Sequence, residues 1–75
     1  MAETESVRIE VGFDGGQIMS ALVTVPGADA LERALRDEGP PLIAVDANDG
    51  RYTIVLRRVV YLKRFARESK VGFGL

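Results

Sequence analysis

Val7-Arg8-Ile9-Glu10-Val11-Gly12-Phe13-Asp14-Gly15-Gly16-Gln17-Ile18 is the stretch on which the fold turns. Val7, Ile9, Val11 and Phe13 alternate with Arg8, Glu10 and Gly12. A period of two places one apolar row on one face of a half-buried strand. Asp14-Gly15-Gly16 then supplies the turn, because Asp-Gly and Gly-Gly tolerate the positive φ angles of a tight hairpin. A second strand follows over about 17–25, with Ile18, Ala21 (or Met19), Val23 and Val25 offered to the core. Pro26-Gly27 reads as its end, since proline lacks a ladder donor and glycine opens a turn.

Beyond the hairpin the period changes. Leu31, Ala34 and Leu35 recur at helical spacing. Asp29 with Glu32 fits a capping box. Gly39 fits a left-handed C-terminal cap, and Pro40-Pro41 stops the helix. The expectation is one short helix over about 29–38. Leu42 to Val45 reads as a third strand and Asp46-Ala47-Asn48-Asp49-Gly50 as a turn. Arg51 to Leu56 reads as a fourth strand, and Val59 to Phe65 as a fifth or a continuation of the fourth. Arg57-Arg58 interrupts the apolar run, and a short 3₁₀ turn around Leu56–Val59 would re-aim the chain there. The order is β-β-α-β-β-β. The fold class is mainly β: a small five-stranded antiparallel barrel or strongly bent sheet, with one helix plugging an end or covering a face. Residues 1–6 read as a flexible acidic arm, 7–65 as one domain, and 66–75 as a C-terminal tail. That tail, ending Val71-Gly72-Phe73-Gly74-Leu75, is either disordered or docks on a neighbour.

The chain has 75 residues, no cysteine and no histidine. A domain of this size buries about 60% of its unfolded surface, so its core is thin. Disulfides are excluded, and the usual zinc, copper and iron sites lack their ligands. No metal or other cofactor is expected. With disulfides and metal gone, unaided folding or self-association must supply the stability. The acidic, polar start is unlike an export signal, and no apolar run is long enough to span a bilayer. Cytoplasm is the expected compartment, with no membrane partner.

Asp46-x-Asn48-Asp49-Gly50 imitates a calcium loop, but the glycine falls at position five and Arg57 stands where the twelfth-position glutamate belongs. Gly12, Gly15, Gly16 and the late Gly72-x-Gly74 precede no Gly-Lys-Ser/Thr and make no turn from a strand into a helix N-terminus, so they are not phosphate loops. Serine and threonine have no histidine to activate them, and the acids sit in arm, turns and helix face. The chain is expected not to be an enzyme. A weak enzyme would need a ligand-filled pocket lined by acids.

Net charge is −1, yet the sign is split along the chain. Residues 1–50 carry ten acids and three bases; residues 51–75 carry seven bases and only Glu68 as an acid. Such asymmetry points to a polyanion, to head-to-tail self-association, or to two halves that neutralise each other inside one fold. The candidate surface is Arg51, Arg57, Arg58, Tyr61, Lys63, Arg64 and Arg67, with Phe65 and Lys70 nearby. Aromatics beside arginine suit base stacking next to phosphate contacts. On one uninterrupted strand Arg57 would share a face with Lys63, and Arg58 with Arg64.

The first quoted stretch, 7–18, together with Tyr52-Thr53-Ile54-Val55-Leu56-Arg57-Arg58-Val59-Val60-Tyr61-Leu62, resembles the opening hairpin and the closing strand, turn and last strand of SH3-like barrels. In particular, the chain resembles the Sm-like barrels. The resemblance covers about two thirds of the chain. It implies closing strands that pair between subunits into rings, and loops near the hairpins that bind RNA. The chain departs from that pattern in lacking the N-terminal helix and in placing a helix between the second and third strands. It also has no aspartate near Val23. The order of glycine turn, strand, Val-Pro-Gly, leucine-rich helix and strand is also similar to short bacterial proteins of unknown function. The expected function is a non-enzymatic binding and assembly module that self-associates through its last strand and contacts proteins. The alternative is an RNA- or single-strand-binding module that uses the basic C-terminal third.

Overall fold

A computed structural model describes residues 5–37 and 39–66. The elements are β1 (Ser6–Phe13), β2 (Ile18–Thr24), α1 (Val25–Arg36), β3 (Leu42–Ala47), β4 (Gly50–Val55), a 3₁₀ turn (Leu56–Arg58) and β5 (Val59–Arg64). The β-β-α-β-β-β order holds, and the 3₁₀ turn stands where the Arg57-Arg58 interruption placed it. Every neighbouring pair of strands is antiparallel, in the order β4-β3-β2-β1-β5. The three-residue 3₁₀ turn joins the two edge strands, so the sheet bends to bring its ends toward each other. Among the described residues no ladder links β4 to β5, and the result is a bent sheet, not a closed barrel.

The first hairpin forms as its alternation demands. Ile9 and Val11 are fully buried, with Val7 and Phe13 packed beside them. The Phe13 amide donates to the Gln17 carbonyl at 3.0 Å, and Gly16 takes a φ of 93°, open to glycine at no steric cost. On β2 the inward parity is Met19, Ala21 and Val23. Ile18 points outward and is 62% exposed, which corrects its expected core role. Both parities of β2 are apolar, and pairing of Ala21 with Ile9 selects one of them. The β3–β4 turn is tighter than the sequence suggested. Asp46 and Ala47 belong to β3, Ala47 pairs with Gly50, and only Asn48 and Asp49 form the turn.

The helix starts four residues before its expected position. Thr24 is the N-cap, its Oγ1 accepting from the Gly27 amide at 3.0 Å, and Pro26 sits in the first turn. Proline is tolerated there because the first-turn amides have no helical acceptor. Pro26-Gly27 therefore opens the helix instead of closing the strand, and Val25 is helical. Asp29 and Glu32 are not a capping box. The last turn ends at Arg36, and the Gly39 amide donates back to the Ala34 carbonyl at 2.9 Å without a left-handed φ. Ala28 and Leu31 bury completely against the sheet, with Ala34 and Leu35 half-buried. Val45 and Ile54 from β3 and β4, and Leu56 from the 3₁₀ turn, complete the core. Among the described residues no helix is long and apolar enough to cross a membrane.

Candidate functional site

Among the described residues the bases of the C-terminal third do not form one continuous surface. Pairing of β5 with β1 sets Ile9 opposite Arg64, Glu10 opposite Lys63, Val11 opposite Leu62 and Gly12 opposite Tyr61. Leu62 and Arg64 thus share the core-facing side of the sheet with Val11 and Ile9, while Tyr61 and Lys63 lie on the outer side. The ladder shifts register between Gly12 and Phe13, and with the 3₁₀ turn this breaks the parity that an unbroken strand would have given.

Arg64 reaches from β5 to α1. Its Nη1 donates to Asp29 Oδ1 at 2.8 Å and to Glu32 Oε1 at 3.0 Å. The Asp29 bond, then the Glu32 bond, raise the guanidinium pKa further above its ordinary value. Arg58 donates to both carboxylate oxygens of Asp14, the nearer at 3.1 Å, and so ties the 3₁₀ turn to the first hairpin. Arg51 Nε donates to Asp46 Oδ1 at 2.9 Å across the β3–β4 pair. In each case a base of the last 25 residues finds an acid of the first 50. Three of the five described bases after residue 50 are thereby paired within the fold.

Three candidates remain. Arg57 is exposed in the 3₁₀ turn and makes no ion pair among the described residues. Lys63 places Nζ 4.3 Å from the centroid of the Phe65 ring, a cation–π distance. Tyr61 lies over Gly12, with its hydroxyl donating to Glu10 Oε2. A Cβ on residue 12 would fall 2.1 Å from Tyr61 Cε2, so only glycine lets the ring lie flat there. The bond to the Glu10 carboxylate raises the Tyr61 pKa above 10. Tyr52 is raised in the same way by Asp49. Arg67 and Lys70, with the tail from 67 and the first four residues of the arm, lie outside the described residues.

Two features escaped the sequence reading. One is the outer row Ile18–Gly12–Tyr61, in which Gly12 is the direct partner of both neighbours. A glycine between β-formers inside a strand is itself a signal of close approach. The other is a groove of mixed apolar and charged character along α1. Two adjoining depressions, of about 420 and 540 Å³, share Leu35 as a wall. Glu32, Arg36, Leu62 and Arg64 also line the first, and Pro41, Leu56 and Arg57 the second. No local sequence pattern marks this groove, because its walls come from α1, β5 and the 3₁₀ turn, which are far apart in the chain. Among the described residues no cluster of three or more metal-ligating side chains is present.

Comparison of the chain with protein-family models, curated proteins and solved structures finds no match. The features above therefore rest on the chain's own geometry.

Proposed function

We propose that this domain is a small assembly module without catalytic activity, which self-associates and contacts proteins through its last strand, β5. The observation that carries this reading is the outer edge of β5, which pairs with no strand among the described residues and is flanked by Val60 at 66% and Tyr61 at 41% exposure. An unpaired edge offers a row of amides and carbonyls to another strand. β4 supplies the other free edge, so a head-to-tail contact between copies would join unlike surfaces and close into a ring or extend. The likeness to Sm-like barrels, whose closing strands pair between subunits, supports the same reading.

The test is light scattering of the full chain from about 1 µM to about 1 mM, since association follows mass action. The expected result is a mass that rises with concentration, and a Val60→Lys chain that needs more protein to reach the same mass. A single-chain mass throughout would overturn the proposal.

A second reading, binding of RNA or single-stranded DNA, is favoured by the Lys63–Phe65 stack and the exposed Arg57. With Arg51, Arg58 and Arg64 paired internally, this cationic set is small for a polyanion. Low-salt binding of a single-stranded oligonucleotide, lost in Arg57→Gln/Lys63→Gln, is its expected signature. No binding at low salt removes it.

A further inference from the structure

α1 packs on the face of the sheet where Ile9 and Val11 are buried. The strand register sets out the opposite face of β1 and β5. Beside the row Ile18–Gly12–Tyr61, Glu10 stands opposite Lys63. The Phe65 amide donates to the Arg8 carbonyl at 3.0 Å, so those two residues face each other in the next row. Tyr61, Lys63 and Phe65 therefore share one side of the strand and follow each other at about 7 Å.

Tyr61 is held at both ends. Its ring lies against Gly12, and its hydroxyl donates to the Glu10 carboxylate. The residue is still 41% exposed. An aromatic ring fixed in advance loses little side-chain entropy when a planar group stacks on it. Glu10 is the one acid in these rows, and the Tyr61 hydroxyl engages it. Arg8 and Lys63 make no ion pair among the described residues. Lys63 turns instead to Phe65, with Nζ 4.3 Å from the ring centroid. The face thus offers two aromatic rings with a cation between them and a second cation alongside. A nucleic-acid strand has the complementary order, base, phosphate, base. Arg57 stands apart, lining a depression against α1 with Ala34 and Leu35.

We infer that the outer face of β1 and β5 is a binding site for a short single strand of RNA or DNA. One base stacks on Tyr61 and another on Phe65, while Lys63 and Arg8 hold the phosphates between them. The inference rests on the nucleic-acid reading and gives it a place on the molecule. Stacking supplies most of the affinity, so a small cationic set suffices. The unpaired edge amides of β5 lie in the plane of the sheet, and the bases stack above that plane. Strand binding and assembly through β5 therefore do not compete.

The experiment is an NMR titration of the full chain at low salt with hexathymidylate and with hexauridylate, and with hexaglutamate as a probe of charge alone. The expected result is an upfield shift of the Tyr61 and Phe65 ring protons with either oligonucleotide. Binding should be about tenfold tighter than to hexaglutamate, since a peptide of carboxylates has nothing to stack. Affinity should fall with salt at a log–log slope of about −1.4, or about −0.7 for each of two phosphates, and Lys63→Gln should halve that slope. Tyr61→Leu should weaken binding about tenfold, while Tyr61→Phe, which keeps the ring, stays within about threefold of wild type. Arg57→Gln should leave binding unchanged. An unaltered amide spectrum outside β1 and β5 shows that each variant is folded. Undiminished binding by Tyr61→Leu overturns the inference, as does a loss in Tyr61→Phe as large as in Tyr61→Leu. Equal binding of hexaglutamate overturns it too, and assigns the face to acidic peptides. Oligonucleotide binding that Arg57→Gln abolishes and Tyr61→Leu spares defeats this site and leaves the nucleic-acid reading standing. No binding of either oligonucleotide defeats both.

Discussion

β1 and β5 lie side by side in one sheet and face opposite demands. β1 is paired on both edges and buries Ile9 and Val11 completely. Among the described residues β5 is paired on one edge only, buries no side chain completely, and leaves Val60 and Tyr61 exposed. Both strands are rich in β-formers, so propensity does not separate them. Position does: the hairpin and α1 enclose β1, while β5 closes the sequence of strands at an edge the sheet leaves open. Stability is concentrated on one side of the molecule and availability on the other.

The largest effect that bears on this contrast is a cavity in β1. Ile9→Ala is expected to lose about 3–4 kcal/mol, as for other buried isoleucines, which is most of what a domain of this size holds. Val60→Ser on β5 should stay within about 0.5 kcal/mol. Urea unfolding of both chains measures the difference, and equal losses would erase the distinction between the strands.

Smaller effects sharpen the boundary between β1 and β5. Gly12→Ala puts a methyl group into the Tyr61 ring, which swings out because it is exposed, at a cost of about 1 kcal/mol. Once Tyr61→Ala has removed the ring, the same methyl should cost much less, giving a non-additive cycle. Additive losses would mean that the two residues do not touch. Arg64→Ala, which releases both Asp29 and Glu32, should cost up to about 1 kcal/mol and less as salt is raised. Arg58→Ala, with an exposed partner in Asp14, should cost less still.

The smallest effect is alkaline. Tyr61 has a folded pKa raised above 10 because its hydroxyl donates to the Glu10 carboxylate. A raised folded pKa favours the native state below the unfolded value, and that contribution disappears as pH climbs past 10 and through the higher folded value. Tyr61→Phe should therefore be less stable than wild type near neutrality and approach it above pH 10. A constant gap across that window would show that the hydroxyl bond contributes nothing.

The fold was legible where local rules and tertiary demands agree. Alternation over Val7–Phe13 and the glycine turn defined the hairpin, and Arg57-Arg58 marked the 3₁₀ turn. The helix start was misplaced because Pro26-Gly27 carries two meanings. After a strand it reads as a stop, yet behind a capping Thr24 it is a first helical turn. Asp29 and Glu32 imitated a capping box while serving Arg64, a partner more than 30 residues away that no local pattern reveals. The same blindness affected the candidate site. Of the candidate positions among the described residues, Arg51, Arg58 and Arg64 go to three separate ion pairs, Tyr61 and Lys63 to the outer face, and Arg57 stays exposed in the 3₁₀ turn. The groove along α1 could not be read at all, since its walls come from α1, β5 and the 3₁₀ turn.

Light scattering of the full chain, with and without Val60→Lys, over a roughly thousandfold range of concentration tests the central claim most directly. The mass of the wild-type chain should rise with concentration, and the Val60→Lys chain should need more protein to reach the same mass. A single-chain mass for the wild-type chain at every concentration would contradict assembly through β5.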